Sequence, residues 1–279
     1  MTRTARKIDD NVLAVLTGAV DATGNRAIIT QQLARPDYVA VDKVLRAAGG
    51  AWDRKAKAHL FPVGTDAGEV INSLCLTGTY TTASDDGWFP TSAVVADQLV
   101  GLVAPLRPGM AVLEPSAGEG ALIHALRRAC GGLHIVAVEL DPRRNQVLVQ
   151  HAAAVVDAVG QDVVAVIEPC DFLTWTTPVA FDRVVMNPPF IGTTYIDHVM
   201  HAFDMLKPGG QLGAVMPAGV RFRQDRKHAA FRAFVDENDG EIRELHEGAF
   251  NYNAAERRAA VTPVRSTGVR AVAVVVNKP

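Results

Sequence analysis

The 279-residue chain lacks paired cysteines, long apolar runs and a strong net charge. Its three cysteines, Cys75, Cys130 and Cys170, form no C-x-x-C pair, which argues against a disulfide framework or a structural zinc site. No run of about 18 apolar residues is present, which argues against a membrane-spanning helix. Acidic residues near the N-terminus do not fit a signal peptide, so we expect a soluble, cytoplasmic protein.

The net charge of −2 excludes a protein that holds nucleic acid by bulk positive charge alone. The charge is uneven, because residues 1–60 carry ten basic and six acidic side chains, a local net charge of +4. In this region the sequence WDRKAKAH places Trp52 beside Arg54, Lys55 and Lys57. A basic turn with an aromatic residue can bind phosphate and stack on a base, and a solvent-exposed hairpin is the alternative interpretation.

A polar, turn-rich stretch over 79–92 predicts a linker between two parts of the chain. We expect an accessory region over 1–78 and a larger domain over 86–279. In the accessory region the pattern predicts a partly helical start over 1–35. It then predicts a strand over 38–41, a helix that ends at a glycine pair, and a strand over 58–63.

From residue 110 onward, short Val/Ile/Leu runs alternate with helical stretches. This pattern predicts an α/β fold with a mostly parallel, seven-stranded sheet that helices cover on both faces. The predicted strands are 110–114, 134–140, 163–167, 181–187, 211–217, 241–245 and 269–276. Ligands of such sheets bind beyond the carboxyl ends of the strands, so these ends are where we expect the chemistry.

The ends of the first three predicted strands carry residues suited to a nucleoside ligand. The first is followed by EPSAGEG, from Glu114 to Gly120, in which small residues allow close approach of a ligand to the backbone. The second ends near Glu139, whose carboxylate can accept hydrogen bonds from ribose hydroxyls. The third is followed by Asp171 and Phe172, which can contact the amino group and the ring of adenine.

The fourth strand end, Asn187-Pro188-Pro189-Phe190, is the most informative segment of the sequence. Both prolines fix φ and lack an N–H, which makes Asn187 and the Pro188 carbonyl a stiff pair of acceptors. Phe190 adds a flat apolar face beside them. This combination fits an aromatic amine that donates two protons and stacks on the ring; a rigid structural loop is the alternative.

Together these segments resemble the class I S-adenosylmethionine-dependent methyltransferases, and among them the gamma-class DNA adenine-N6 methyltransferases. Phe89-Pro90-Thr91 is similar to the F-x-T-P segment of that class, with Ser92 where the family usually has proline. The resemblance covers about residues 86–277 and implies a Rossmann-like sheet and S-adenosylmethionine as cofactor. It also implies methyl transfer to the N6 amine of an adenine that is flipped out of DNA.

The resemblance assigns roles residue by residue. It implies that Asn187, Pro188, Pro189 and Phe190 are catalytic. It implies that the cofactor is bound by Thr91, Glu114, Ser116, Ala117, Gly118, Gly120, Glu139, Leu140, Asp171 and Phe172. The nucleic-acid contacts that we predict from basic segments are Trp52, Arg54, Lys55, Lys57, Arg221 and Arg223. The resemblance implies no metal; His198 and His201 lie at helical spacing, but the sequence suggests no third ligand for them.

Three functions stay open at this stage. The first is a DNA adenine-N6 methyltransferase, either in a restriction–modification system or as an orphan or mobile-element enzyme. The second is a methyltransferase of RNA bases or of a protein glutamine, because both classes use the same N-P-P-[YF] segment. The third is a non-catalytic DNA-binding or antirestriction module. Any reading of DNA sequence is expected from residues 1–75, from 251–268 or from the segment after Phe190.

Overall fold

The computed structural model describes residues 6–61, 65–80, 88–153, 163–167, 169–246, 252 and 270–279. The described residues before position 81 form one compact unit, and those from Trp88 onward form a second. The predicted 251–268 segment lies outside the described residues except for Tyr252.

The first unit packs three helices and short antiparallel strands around a small apolar core. Its strands are β1 (Arg6–Lys7), β2 (Val20–Thr23), β3 (Arg26–Ile29), β4 (Ala51–Asp53), β5 (Ala58–Leu60) and β6 (Thr79–Tyr80). Its helices are α1 (Asp10–Gly18), α2 (Arg35–Ala47) and α3 (Ala67–Thr77). A four-stranded sheet has the order β2-β3-β5-β4, and β1 pairs with β6.

The strand that we predict over 38–41 is wrong, because Tyr38–Val41 lie inside α2. A proline occupies the first turn of α2, where its fixed φ suits a helix, and Val41, Val44 and Leu45 are buried on one face. The partly helical start predicted over 1–35 contains α1, and after it β2 and β3 form a hairpin around Gly24, which has a φ of +55°.

The second unit contains the predicted sheet. Its strands are β7 (Ala111–Glu114), β8 (His134–Ala137), β9 (Val163–Val166), β10 (Phe181–Met186), β11 (Leu206–Pro217), β12 (Glu241–Glu244) and β13 (Ala271–Asn277). Its helices are α4 (Ala93–Leu102), α5 (Ala121–Ala129), α6 (Pro142–Ala153), α7 (Thr194–Asp204) and α8 (Arg226–Glu237). The predicted fold class is confirmed, although β11 begins at Leu206, earlier than expected.

The seven strands have the order β12-β13-β11-β10-β7-β8-β9. β13 is antiparallel to both of its neighbours, and the pairings from β11 through β9 are parallel. The chain runs outward from β7 through β8 to β9, and then returns to β10 on the other side of β7. The carboxyl ends of β7, β8 and β10 therefore surround the point where the strand order reverses, which is the usual place for a ligand in such sheets.

Both faces of this sheet are apolar, which explains why its strands appear in the sequence as continuous Val/Ile/Leu runs. Val112 and Val185 belong to a core on the side of α4 and α5. Their sequence neighbours Leu113 and Val184 belong to a second core with residues of α7 and α8. Among the described residues, no helix is long and apolar enough to span a membrane.

Candidate active site

One cavity in the second unit collects residues from several predicted segments. It is lined by the predicted site residues Thr91, Glu114, Ser116, Ala117, Gly118 and Asn187, together with Trp88, Phe89, Pro90, Glu119, Ala121 and Leu122. The cavity therefore brings the EPSAGEG loop together with the segment before α4 and with the start of the Asn187–Phe190 loop. Each of these segments was singled out in the sequence, but only the fold makes them neighbours.

The loops after β7 and β8 are bonded directly to each other. The amide of Ala117 donates to the carbonyl of Val138 at 2.9 Å, and the amide of Gly118 donates to Glu139 Oε2 at 2.8 Å. Gly118 has a φ of +55° and Gly120, which begins α5, has a φ of +94°. These conformations favour glycine, so the loop depends on both glycines for its shape.

Glu139, the predicted ribose acid, is buried and held by several donors. Its Oε1 accepts hydrogen bonds from the Asp141 amide at 2.8 Å and from Arg144 Nε at 3.0 Å. Arg144 is itself buried and also lies 3.6 Å from Asp141 Oδ2. The Glu139 carboxylate thus has a fixed orientation and a neutralising partner before any ligand binds. Its contact with ribose stays a prediction.

Glu114 differs from Glu139 because its carboxyl is buried without a partner. The residue is 1% exposed, and neither side-chain oxygen has a hydrogen-bond partner among the described residues. Burial, and after it the charge of Glu139, raises the pKa of Glu114 well above its ordinary value. The Ser116 amide lies close enough to oppose this shift without completing a hydrogen bond. A buried, partnerless carboxyl facing a cavity suits a cationic ligand.

Asn187 follows β10 and has a settled side-chain orientation. Its Nδ2 donates to the Phe89 carbonyl at 2.6 Å and to Thr91 Oγ1 at 3.1 Å. A carbonyl only accepts, so the amide nitrogen must face Phe89. The Oδ1 atom is then left as a buried acceptor without a partner among the described residues. Thr91, which the resemblance assigns to the cofactor, here orients Asn187, and its contact with the cofactor stays a prediction.

Phe190 is packed between two aromatic rings. Its centroid lies 5.3 Å from that of Phe89 and 6.3 Å from that of Tyr195, which meets it edge-on. The Tyr195 hydroxyl lies 2.6 Å from His228 Nε2, and His228 Nδ1 lies 2.6 Å from Asp225 Oδ2. Asp225 accepts from Nδ1, and Nε2 is hydrogen-bonded to the tyrosine hydroxyl. These two hydrogen bonds hold the Tyr195 side chain, which is one of the two rings that pack against Phe190.

The third strand end is arranged differently from the expectation. Asp171 caps a short 3₁₀ turn by accepting a hydrogen bond from the Leu173 amide at 3.0 Å. Phe172 is 2% exposed, and its ring packs against His201 at 4.8 Å and His198 at 5.6 Å. Leu140 is an exposed side chain just beyond Glu139. The contacts of these residues with adenine stay predictions.

The two histidines of α7 have protein partners. His198 Nδ1 lies 3.4 Å from Ser116 Oγ, and His201 Nε2 lies 3.0 Å from the Trp175 carbonyl. Burial lowers the pKa of His198 to about 4, so its ring is neutral at physiological pH. Within the described part of the chain, no group of three or more His, Cys, Asp or Glu side chains is placed to hold a metal.

The predicted nucleic-acid contacts lie in both units. In the first unit, Arg54, Lys55 and Lys57 are exposed in the turn between β4 and β5. Trp52 is 38% exposed, and its ring packs against His59 at 5.2 Å. In the second unit, Arg221 is paired with Glu244, and Arg223 is exposed beside Gly219. The pairing of Arg221 reduces the charge that this residue offers to a phosphate.

Sequence reasoning missed several residues of the site. Trp88 lines the cavity, and its ring centroid lies 5.1 Å from the Arg144 guanidinium carbon. Tyr195 packs against Phe190, and His228 is hydrogen-bonded to the Tyr195 hydroxyl. Trp88 directly precedes the Phe89–Thr91 segment, and this adjacency was the only available signal. Arg144 and His228 are buried polar residues of helices and belong to no motif, so their roles depend on the tertiary structure.

No protein-family model matches the sequence. A curated relative is the type II methyltransferase M.CvrRI of Paramecium bursaria Chlorella virus XZ-6E, which is 30% identical over 107 residues. These residues are 38% of this chain and 25% of the viral protein.

Solved structures with a similar fold include subunits of type I restriction–modification systems. A modification subunit assigned to such an enzyme from Vibrio vulnificus YJ016 has a TM-score of 0.54 and 17% identity, over 77% of this chain and 51% of that one. A methyltransferase subunit from Streptococcus thermophilus has a TM-score of 0.53 and 17% identity, over 78% of this chain and 51% of that one. The M protein of the type I restriction enzyme EcoKI has a TM-score of 0.50 and 16% identity, over 88% of this chain and 55% of that one.

The chain thus spans about half the length of these solved structures, and at these identities the likeness concerns the fold. The sheet order, the glycine loop after β7 and the acid after β8 agree with that likeness. The fold predicted from the motifs is confirmed: the chain has the α/β fold of these methyltransferase subunits.

Proposed function

We propose that the protein transfers a methyl group from S-adenosylmethionine to the N6 amine of adenine in DNA. The observation that carries this proposal is the Asn187 side chain, whose Nδ2 is anchored by Phe89 and Thr91 while its Oδ1 is a buried acceptor that no described residue bonds. An unpartnered buried acceptor carries a free-energy cost. An aromatic amine beside Oδ1 would remove that cost by donating one of its protons.

Residues of the cavity and of the neighbouring strand end fit the proposed cofactor. When bound, S-adenosylmethionine supplies a methyl group on a positively charged sulfur. The Glu114 carboxyl, which no described residue hydrogen-bonds, lines the cavity and suits the positive charges of this molecule. Glu139, which follows β8 and bonds the Gly118 amide of the cavity lining, suits its ribose hydroxyls. The glycine backbone at 118 and 120 allows close approach, and the N-terminus of α5 presents free amides.

The chemistry of the chain itself is positioning and electrostatic stabilisation. The adenine amine is a poor nucleophile because its lone pair is delocalised into the ring. Acceptance of its protons by Asn187 Oδ1 and the Pro188 carbonyl favours a pyramidal nitrogen and stabilises the charge that develops on it. Phe190, clamped by Phe89 and Tyr195, offers its ring to the flipped base. The amine proton can leave to solvent after the transfer, so a strong base is not required.

Support for DNA over the alternatives comes from the segment before α4. Phe89 and Thr91, which resemble part of a DNA adenine-N6 motif, are the residues that hold Asn187. The similar proteins are type II and type I methyltransferases, which favours a role in restriction–modification. RNA bases and the glutamine side-chain amide also present an NH2 group whose lone pair is delocalised. They are therefore the alternative methyl acceptors if DNA is not the substrate.

The product decides between these substrates. The full chain is incubated with isotope-labelled S-adenosylmethionine and, separately, with unmethylated genomic DNA, total RNA and protein extract, and the digests are analysed by mass spectrometry. We expect label in N6-methyladenine from DNA, and labelling that is slower by about 100-fold or more with Asn187→Ala. Label in methylguanine of RNA or in glutamine, without N6-methyladenine, would overturn the DNA assignment. Absence of label from all three would overturn methyl transfer.

We further propose that the β4–β5 turn of the first unit contacts DNA phosphates. Neutralising its three exposed cations, as Arg54→Gln, Lys55→Gln and Lys57→Gln together, is expected to weaken DNA binding by the full chain. For duplex DNA, each lost phosphate contact reduces the magnitude of the negative slope of log K, the DNA-binding constant, against log salt by about 0.9. Binding is measured by fluorescence anisotropy at several salt concentrations.

The matched control neutralises three exposed cations elsewhere in the same unit, Lys7→Gln, Arg35→Gln and Lys43→Gln. It changes the net charge equally, so a general field effect would lower both slopes alike. An unchanged slope in the turn variant, or equal slopes in the two variants, would contradict a specific contact at this turn.

A further inference from the structure

We propose that Trp88 covers the ribose site at Glu139 and thereby couples cofactor binding to the orientation of Asn187. This inference rests on the proposed function, since it concerns the same site. It assigns a positioning role to Trp88, which no motif indicates. Trp88 touches the residues that hold Glu139, and the residues next to it in sequence hold Asn187.

The indole of Trp88 lies against two of the donors to the Glu139 carboxylate, Gly118 and Arg144. Its Nε1 is 3.3 Å from the point where a Cβ on Gly118 would lie, so the ring packs closely on the glycine backbone. The Arg144 guanidinium carbon is 5.1 Å from the ring centroid, within the range of a cation–π contact. Gly118 and Arg144 both donate to Glu139, at 2.8 and 3.0 Å. A ribose bonded to Glu139 would therefore lie within reach of the indole.

The same short segment holds the amine acceptor. The Phe89 carbonyl and the Thr91 hydroxyl both accept from Asn187 Nδ2, at 2.6 and 3.1 Å. Between them, the Pro90 carbonyl accepts from the buried Tyr252 hydroxyl at 2.6 Å. Pro90 also limits the backbone freedom of the segment. A displacement of Trp88 is consequently transmitted to the two atoms that orient Asn187.

Contact of the cofactor ribose with the indole would add binding energy at Trp88 and hold residues 88–91 in place. Part of the cofactor's binding energy would then be used to orient Asn187 for the incoming amine. Substitutions at Trp88 should for this reason affect two quantities. They should weaken cofactor binding, and they should also slow turnover when cofactor and DNA are both saturating.

The first experiment titrates the full chain with S-adenosylhomocysteine and records tryptophan fluorescence. The chain has three tryptophans, so single replacements resolve the signal. We expect wild type, Trp52→Phe and Trp175→Phe to show a change on binding, and Trp88→Phe to show none while still binding by calorimetry. A fluorescence change that persists in Trp88→Phe would overturn the proposal that Trp88 covers the ribose site. If the wild type fails to bind S-adenosylhomocysteine, the proposed cofactor is wrong instead.

The second experiment separates cover from coupling by kinetics. Trp88→Ala is expected to raise the Kd of S-adenosylhomocysteine about tenfold and to lower kcat at saturation about tenfold, with Trp88→Phe restoring most of both. Thr91→Val keeps the indole and removes one hydroxyl bond to Asn187, so it should lower kcat by a larger factor than it raises that Kd. Either an unchanged Kd or an unchanged saturating kcat in Trp88→Ala would overturn the coupling. Because Trp88→Phe preserves an aromatic ring, the fluorescence test decides if the alanine variant does not fold.

Discussion

Asn187→Ala is expected to lower the rate of methyl transfer by about 100-fold or more and to leave cofactor affinity within about twofold. The Oδ1 atom is a buried acceptor with no hydrogen-bond partner in the described part of the chain, and Nδ2 is bonded to Phe89 and Thr91. Truncation removes the group that would accept an amine proton as charge develops on the nitrogen. Single-turnover rates with labelled cofactor report the chemical step, and calorimetry reports cofactor binding.

A matched pair of substitutions at Phe190 tests whether any change in this loop has the same effect. Phe190→Tyr keeps a ring between Phe89 and Tyr195 and should be tolerated, whereas Phe190→Ala should slow turnover by loosening the base. An Asn187→Ala rate within about fivefold of wild type would contradict the role of Oδ1. A loss of cofactor binding in Asn187→Ala would instead place this residue in the cofactor site.

The sheet and the strand ends could be predicted because their signals are local. Strands buried on both faces give continuous apolar runs, as Leu113 and Val112 show by belonging to opposite cores. Two prolines after Asn187 restrict the backbone whatever surrounds them. The helix over Tyr38–Val41 was mistaken for a strand because four apolar or aromatic residues in a row carry little periodicity of their own.

The contacts that orient the site could not be predicted, because they join distant parts of the sequence. Asn187 is bonded to Phe89 across 98 positions, and Tyr252 to Pro90 across 162. Nor does a sequence show which acids have partners. Glu114 and Glu139 each follow or end a strand, but Arg144 and two backbone amides reach Glu139, while neither oxygen of Glu114 has a partner among the described residues.

This difference between the two acids leads to the second large expected effect. Since burial raises the pKa of Glu114 well above its ordinary value, this carboxyl binds more protons in the folded protein than in the unfolded chain between those two values. Its contribution to stability should therefore fall as pH rises from the ordinary value towards the raised one, whereas the lowered pKa of His198 gives a contribution of opposite sign. Glu114→Gln removes only the first contribution, so the stability of the variant relative to wild type, measured by thermal unfolding, should increase as pH rises over this range.

Burial favours the protonated form of Glu114, whereas a cationic cofactor beside it would favour the carboxylate, because a nearby positive charge stabilises the ionised form. Binding of S-adenosylmethionine should consequently release a proton, and its affinity should increase with pH until the raised pKa is reached. Glu114→Gln should lose both the proton release and about tenfold or more of the affinity, or ~1.4 kcal/mol. Calorimetry in buffers of different ionisation enthalpy measures the release directly. Equal affinity and equal proton release in wild type and Glu114→Gln would show that the cofactor's positive charge does not lie at this carboxyl.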